Sequence, residues 1–271
     1  MTPSLPHPAE PFFLATHLGE RYCLYHPPAG LLRGALVYLH PFAEEMNKSR
    51  RMAARQARAL AADGWAILQV DLQGCGDSDG DFVDARWEHW KHDVDAARAW
   101  LAHQAGCAPG LWGLRLGALL ALDYAHGQAA ALPCLVLWQP VLDGSRFLAQ
   151  FLRLQLASDM LASRPRQNCI GGAIDVCGYR LSAELAASID GVKAAQLAPA
   201  CPVNWIELGP APGAAARPAA IEVLDAWERI GVRAAIRTVP GPQFWSTQEI
   251  SDCPALIEAT RSTLREHHHA H

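Results

Sequence analysis

The sequence predicts an α/β fold with a doubly wound, mostly parallel sheet that is covered by helices on both faces. Two observations predict it. Short apolar runs typical of buried strands alternate along the chain with longer helical stretches, and each helix separates two such runs. That order requires crossover connections between parallel strands. With 271 residues, 51% of them hydrophobic, we expect one domain over 1–271.

The first half of the chain supplies four of the predicted strands. Residues 1–20 are interpreted as a lead-in to the first predicted strand. The predicted strands are Arg21–His26, Gly34–Leu39, Trp65–Val70 and Pro109–Trp112. The predicted helices are Arg51–Ala62, which Asp63-Gly64 closes, Trp87–Ala105 and Ala118–Ala125.

The second half interrupts this alternation and then resumes it. After a strand at Cys134–Trp138, residues 145–198 bring an apolar helix, Phe147–Leu161, and polar or Gly-rich segments. We interpret 145–198 as an inserted helical cap over the sheet edge where ligands bind in such folds. The remaining predicted elements are strands Pro202–Leu208 and Val232–Val239 and helices Pro218–Ile230 and Pro254–Arg265.

Composition excludes several classes of function. A net charge of −4 without a long charged run argues against a nucleic-acid partner. No stretch approaches the roughly 18 apolar residues of a membrane span, and Met1–Leu14 lacks the pattern of a signal peptide, so we expect a cytoplasmic protein. Eight scattered cysteines form no Cys-x-x-Cys pair, so we expect buried thiols and neither a metal nor a cofactor.

The stretch Leu111–Leu122 has the pattern of a nucleophile elbow, a sharp strand-to-helix turn around Gly-x-Ser-x-Gly. Gly113 and Gly117 occupy the two glycine positions, and the residue between them is Arg115 instead of serine. Such a turn favours positive φ at its centre and glycine on either side. A helix N-terminus with a guanidinium at its tip would attract anions. The alternative interpretation is a Gly-x-x-x-Gly helix-packing motif.

The order of motifs resembles the α/β-hydrolase superfamily over nearly the whole chain. Three segments further resemble the exosortase A system-associated hydrolase 2 family: His40-Pro-Phe-Ala-Glu-Glu-Met-Asn-Lys-Ser-Arg50, Asp71-Leu-Gln-Gly-Cys-Gly-Asp-Ser78 and Gly113-Leu-Arg-Leu-Gly117. The resemblance implies an α/β-hydrolase fold and a bacterial setting beside exopolysaccharide and PEP-CTERM protein-sorting loci. The word hydrolase in that family name was inferred from the fold and adds little about chemistry.

A serine hydrolase of this fold orders its triad as serine, acid and histidine. Here Arg115 replaces the serine, and no histidine occurs between His126 and His267. Asp143, after the strand that follows the elbow, is the only well-placed acid. The sequence therefore argues against Ser-His-Asp acyl transfer, because no base remains to activate a nucleophile.

Other groups remain as candidates around the elbow. His40, at a strand end, would act as a base or donor, or only cap the strand. Glu44 and Glu45, in the following loop, would pair with Arg115 or, if desolvated, serve as general acid or base. With Asp143 and Arg115 these are the candidate catalytic residues. The candidate ligand contacts, besides Arg115, are Phe42, Leu116, Gln243 and Trp245.

Three functions stay open at this point. The first is an ester-type hydrolase with a non-standard site, in which Arg115 holds an anionic group. The second is a non-catalytic protein in which Arg115 binds a carboxylate or phosphate of a small molecule or a lipid- or glycan-linked ligand, since its fork grips such groups in a bidentate manner. The third is a partner protein of the exopolysaccharide or sorting machinery.

Overall fold

The computed structural model describes residues 8–128, 132–161, 173–176, 178–211, 213–247 and 249–269. It has the predicted α/β architecture. An eight-stranded sheet runs in the order β1-β2-β4-β3-β5-β6-β9-β10, and every pair from β4 to β10 is parallel. The pairs β1–β2 and β2–β4, at one edge of this sheet, are antiparallel.

The bounds of the elements follow the chain. The strands are β1 Glu10–Thr16, β2 Gly19–His26, β3 Gly34–Leu39, β4 Trp65–Val70, β5 Gly110–Leu114, β6 Leu135–Trp138, β7 Ile174–Val176, β8 Tyr179–Leu181, β9 Val203–Gly209 and β10 Ala234–Pro240. The helices are α1 Glu44–Ala62, α2 Trp87–Ala105, α3 Leu116–His126, α4 Gly144–Leu161, α5 Ala183–Asp190, α6 Pro218–Arg229 and α7 Pro254–His269.

Two apolar cores lie on opposite faces of the sheet. Helices α1 and α7 cover one face, with Met52, Leu60 and Leu256 in its core. Helices α2, α3 and α6 cover the other, where Trp90 and Trp227 are buried. The central strands are apolar throughout because both of their faces are buried.

The largest differences from the predicted bounds lie in the first quarter of the chain. Residues 10–16, interpreted as part of a lead-in, form strand β1, which hydrogen-bonds to β2. Helix α1 begins at Glu44 and not at Arg51, so Glu44 and Glu45 lie in its first turn instead of a loop. Ala43, the residue before the helix, makes no side-chain capping bond, so the usual start signal is absent from the sequence.

The segment predicted as a cap contains more than helices. Helix α4 is followed by the two-stranded antiparallel sheet β7-β8 and by α5. That 145–198 acts as a cap insertion remains a prediction. Among the described residues, no helix combines the length and apolar character needed to cross a membrane.

Candidate functional site

The elbow is the segment Gly113–Gly117, which joins strand β5 to helix α3. Arg115 lies at its tip with φ 56° and ψ −116°, one of three described non-glycine residues with positive φ. The neighbouring strand holds this conformation: the Arg115 N–H donates to the Trp138 carbonyl at 3.0 Å, and the Arg115 carbonyl accepts from the Val141 N–H at 3.1 Å. The backbone therefore has the geometry of a nucleophile elbow, and the helix-packing alternative does not apply.

The two glycines are required by close backbone contacts. A Cβ atom on Gly113 would lie 2.5 Å from the Ala118 Cα, and one on Gly117 would lie 2.3 Å from the Leu39 carbonyl oxygen. Real Cβ atoms do not approach backbone atoms so closely. The start of α3 can therefore pack on the end of β3 only with glycine at position 117.

The Arg115 side chain lies between a carboxylate and an indole ring. Its Nε and Nη2 atoms both donate to Glu45 Oε1 at 3.3 Å, and its guanidinium carbon lies 5.4 Å from the Trp245 ring centre. Gln243, predicted beside Trp245 as a ligand contact, is exposed. It is not among the residues that line the cavity beside Arg115, which is described below. The remaining nitrogen of the guanidinium, Nη1, makes no hydrogen bond to a described residue.

The two glutamates of α1 point in different directions because successive helical residues are about 100° apart. Burial raises the pKa of Glu45 above its ordinary value, although Arg115 opposes the shift. Glu45 Oε2 is buried without a hydrogen-bond partner in the described part of the chain. Glu44 is exposed and accepts from Asn47 Nδ2 at 3.3 Å and from the Tyr179 hydroxyl at 3.4 Å.

His40 is buried at the end of β3, and both of its ring nitrogens are engaged. Nδ1 donates to the Pro41 carbonyl at 2.8 Å, and Nε2 accepts from the Leu72 N–H at 3.2 Å. Burial lowers the pKa of His40, which favours this neutral form. The structure does not bring its ring into hydrogen-bond contact with Arg115 or Glu45.

A cavity of about 270 Å³ opens beside Arg115, at the carboxyl ends of β5, β6 and β9; we call it the elbow cavity. Its charged lining residues are Arg115, Asp143, Arg146, Lys193, Arg217 and Glu222. Asp143, a predicted catalytic acid, accepts from the Arg146 N–H at 3.0 Å and so caps the start of α4. Lys193 has no ion-pair partner among the residues that the structure describes.

Glu207 and Arg217 form an ion pair in the wall of this cavity that the sequence did not suggest. Arg217 Nε lies 2.9 Å and Nη2 2.6 Å from Glu207 Oε1, and the Glu207 side chain is almost wholly buried. The only available signal was a carboxylate near the end of an otherwise apolar strand. Glu45 pairs with Arg115, Glu207 with Arg217 and Asp143 with Arg146, so Lys193 is the lining cation without an ion pair among the described residues.

The predicted contacts Phe42 and Leu116 lie on the other side of the elbow. Their backbone N–H groups, which in this fold stabilise an oxyanion, have no acceptor among the described residues. The space beside them is only about 10 Å³. The Phe42 ring packs edge-on against Phe147 and Phe151 of α4, at 5.8 and 5.1 Å between ring centres. Aromatic side chains thus close the apolar side of the site.

In the ranges that the structure covers, no three histidine, cysteine, aspartate or glutamate side chains are grouped to hold a metal ion. The charged lining of the elbow cavity consists of four cations and two carboxylates, and its guanidinium and ammonium groups are donors that suit a carboxylate or phosphate.

The positive φ of Arg115 gives a first prediction. The variants Arg115→Gly and Arg115→Ala both remove the guanidinium. Glycine adopts the positive φ of this position without steric strain, whereas alanine keeps the strain. We expect Arg115→Gly to be more stable than Arg115→Ala by about 1 kcal/mol or more in urea unfolding. Equal stability, or a more stable alanine variant as in an ordinary helix, would show that the turn is not strained.

Comparison with known proteins supports the same fold. The model of the family described as Hydrolase_4, serine aminopeptidase S33, matches residues 31–168. Est1E from Butyrivibrio proteoclasticus, solved with ferulic acid, superposes with a TM-score of 0.70 at 15% identity, over 94% of this chain and 98% of that one. A thermostable carboxyl esterase from Bacillus coagulans, solved with glycerol, gives 0.66 at 13% identity, over 96% and 99%. A search of curated proteins gives no significant match.

Proposed function

This chain belongs to the Hydrolase_4 family (serine aminopeptidase, S33), and from that premise we propose that its elbow cavity binds a carboxylate or phosphate group through Arg115. In this proposal the protein does not perform Ser-His-Asp acyl transfer. The observation that carries it is the Arg115 guanidinium at a strained elbow, paired with Glu45 and lining a cavity with three further cations and two carboxylates.

The chemistry of the cavity favours an anionic ligand over an acyl chain. Phe42 packs against Phe147 and Phe151, and about 10 Å³ remains beside Phe42 and Leu116, against about 270 Å³ in the elbow cavity, which Phe147 also lines. Arg115 keeps donors beyond the two bonds to Glu45, and a guanidinium can grip an anion with two parallel bonds. Strain of about 1–3 kcal/mol at such a position is typical of functional sites.

A second candidate is a hydrolase that uses other groups, drawn from His40, Glu44, Glu45 and Asp143. The observation that favours it is Glu45, whose Oε2 is buried without a partner and whose pKa burial raises. A carboxyl group with a raised pKa holds its proton nearer neutral pH and can act as general acid or base. His40 is less suited to that role because both ring nitrogens are engaged.

The test compares inorganic phosphate and acetate with chloride at equal ionic strength. We expect phosphate or acetate, but not chloride, to raise the melting temperature of the wild type. The shift is about 2–4 °C for each kcal/mol of linkage. Arg115→Gln removes this shift because a neutral amide lacks both the positive charge and the paired donors of the guanidinium. Arg229→Gln, an exposed arginine on α6, keeps it.

The same proteins are assayed with p-nitrophenyl acetate and butyrate. We expect no turnover above the background rate. Turnover that Glu45→Gln abolishes would replace the first candidate by the second. An anion effect that is absent, or that survives in Arg115→Gln, would contradict the binding proposal.

The motif resemblance extends this proposal to a source for the ligand. We propose that the anion is carried by a lipid- or glycan-linked intermediate in the cytoplasm, or that the protein is a partner of an exopolysaccharide or protein-sorting system. A polyprenyl monophosphate should then displace inorganic phosphate from the wild type. Failure to compete, with phosphate binding intact, would reject the lipid-linked source alone.

A further inference from the structure

The ion pair between Arg115 and Glu45 decides what an incoming anion meets at the elbow. Glu45 is the acidic partner of Arg115 among the described residues, and the bonds from Nε and Nη2 both end on Glu45 Oε1 at 3.3 Å. The pair is largely enclosed, with side-chain exposures of 16% for Arg115 and 22% for Glu45. The guanidinium that the proposed function assigns to the ligand is therefore already neutralised by a carboxylate of the protein itself.

The Glu45 carboxylate has little support apart from Arg115. Its second oxygen, Oε2, is buried and accepts no hydrogen bond from a described residue. Lys48, three residues further along α1, adds a favourable charge, and so does the position of Glu45 in the first turn of the helix. Burial nevertheless raises the pKa of Glu45, so these contributions do not outweigh the cost of enclosing its charge. The ionised form of Glu45 depends mainly on the guanidinium.

An anion that binds Arg115 takes this support away. Its negative charge would lie beside the Glu45 carboxylate, and when two anionic groups share a site, one of them gains a proton more readily. With Glu45 ionised, the pair offers the anion no net charge. With Glu45 protonated, the full positive charge of Arg115 is available to the anion. The proton and the anion therefore favour each other's binding by the same factor.

We propose that an anion binds at Arg115 together with one proton, which Glu45 takes up from the solvent. The inference rests on the proposed function and adds that the affinity depends on pH even when the ligand itself does not titrate. One anion and one proton enter, so the net charge of the site is unchanged. The Glu45 carboxylate becomes a carboxylic acid, and the guanidinium exchanges Glu45 for the ligand as its anionic partner.

The other carboxylates near the elbow cavity are not placed for this role. Glu44, beside Glu45 on α1, is exposed and accepts from the Tyr179 hydroxyl. Asp143 accepts from the first turn of α4, and Glu222 is exposed on α6. In the part of the chain that the structure describes, none of these three accepts a hydrogen bond from Arg115. The remaining charged residues of the lining stay protonated near neutral pH: Arg146, Lys193 and Arg217.

The test follows acetate binding by NMR titration of backbone amides at pH 6, 7, 8 and 9 and constant ionic strength. Acetate stays ionised over this range, so a pH dependence belongs to the protein. We expect the wild-type affinity to fall as the pH rises, by up to about tenfold per pH unit where one proton is taken up. Glu45→Gln imitates the protonated form, so it should bind more tightly than the wild type at pH 8 and give a flat profile. Glu44→Gln and Glu222→Gln should keep the slope.

Calorimetry of the wild type gives a second measurement that needs no variant. If a proton is taken up, the apparent binding enthalpy differs between Bis-Tris and imidazole by the difference in the protonation enthalpies of the two buffers. A flat wild-type profile, with binding that Arg115→Gln removes, would reject proton uptake and leave the anion proposal intact. A slope that survives in Glu45→Gln would overturn the assignment to Glu45. No acetate binding at any pH, in the wild type and in Glu45→Gln, would reject the proposed function itself.

Discussion

Replacing Gly117 by alanine is expected to remove about 4 kcal/mol or more from the free energy of unfolding, enough to leave little folded protein. The added Cβ would lie 2.3 Å from the Leu39 carbonyl oxygen and 2.4 Å from that of His40. Both obstacles are backbone atoms at the end of β3, which pairs with β4 and β5 and has no room to retreat. Soluble yield and urea unfolding measure the effect.

The same helix provides the control for this prediction. Gly127 follows the other end of α3, and a Cβ there would lie no closer than 3.7 Å to the Tyr124 carbonyl oxygen. We expect Gly127→Ala to unfold within about 0.5 kcal/mol of the wild type or slightly above it. A Gly117→Ala variant as stable as Gly127→Ala would mean that the elbow does not pack on β3 as described.

Replacing Arg21 by methionine is expected to cost about 3–5 kcal/mol, because it leaves a buried carboxylate without its partner. Arg21 Nε lies 2.7 Å from Asp93 Oδ1, with side-chain exposures of 0% and 1%. Asp93 Oδ2 also accepts from the Gln73 N–H at 2.8 Å. The pair thereby joins the β1–β2 edge, helix α2 and the loop after β4.

Its pH dependence follows from Asp93, whose pKa burial raises even with Arg21 present. Without Arg21 the pKa rises further, so the folded protein holds a proton that the unfolded chain releases near pH 4. The penalty of Arg21→Met is therefore smallest below that pH, grows as the pH rises towards the raised pKa of Asp93 in the folded variant, and is constant above it. Urea unfolding across pH 4–8 measures it.

Two further variants make this prediction falsifiable. The double variant Arg21→Met/Asp93→Asn removes the charge but keeps an acceptor for Gln73, so it should recover most of the loss. Arg237→Met, which breaks the exposed pair with Glu266, should change stability by less than about 1 kcal/mol. If the single and double variants unfold alike at pH 7, the uncompensated charge is not the cause.

The buried parts of the fold could be predicted because burial constrains their sequence directly. Strand β4 and helix α2 have the predicted bounds, Trp65–Val70 and Trp87–Ala105. Strand β4 is covered on both faces and is therefore apolar along its length, whereas helix α2 buries one face and repeats its apolar residues at helical spacing. Strand β1 was missed because it is an edge strand with half-exposed side chains, and its pairing with β2 makes it a strand.

By itself, the sequence determined the elbow: glycine at 113 and 117, arginine at 115, and no histidine near the position where a triad needs one. Only the tertiary structure decided which acid meets that arginine. Glu45 reaches Arg115 across 70 residues, while Glu44 turns towards β8. The packing of α1 on the sheet fixes that choice. Contacts between distant segments depend on how whole elements are oriented and not on local sequence.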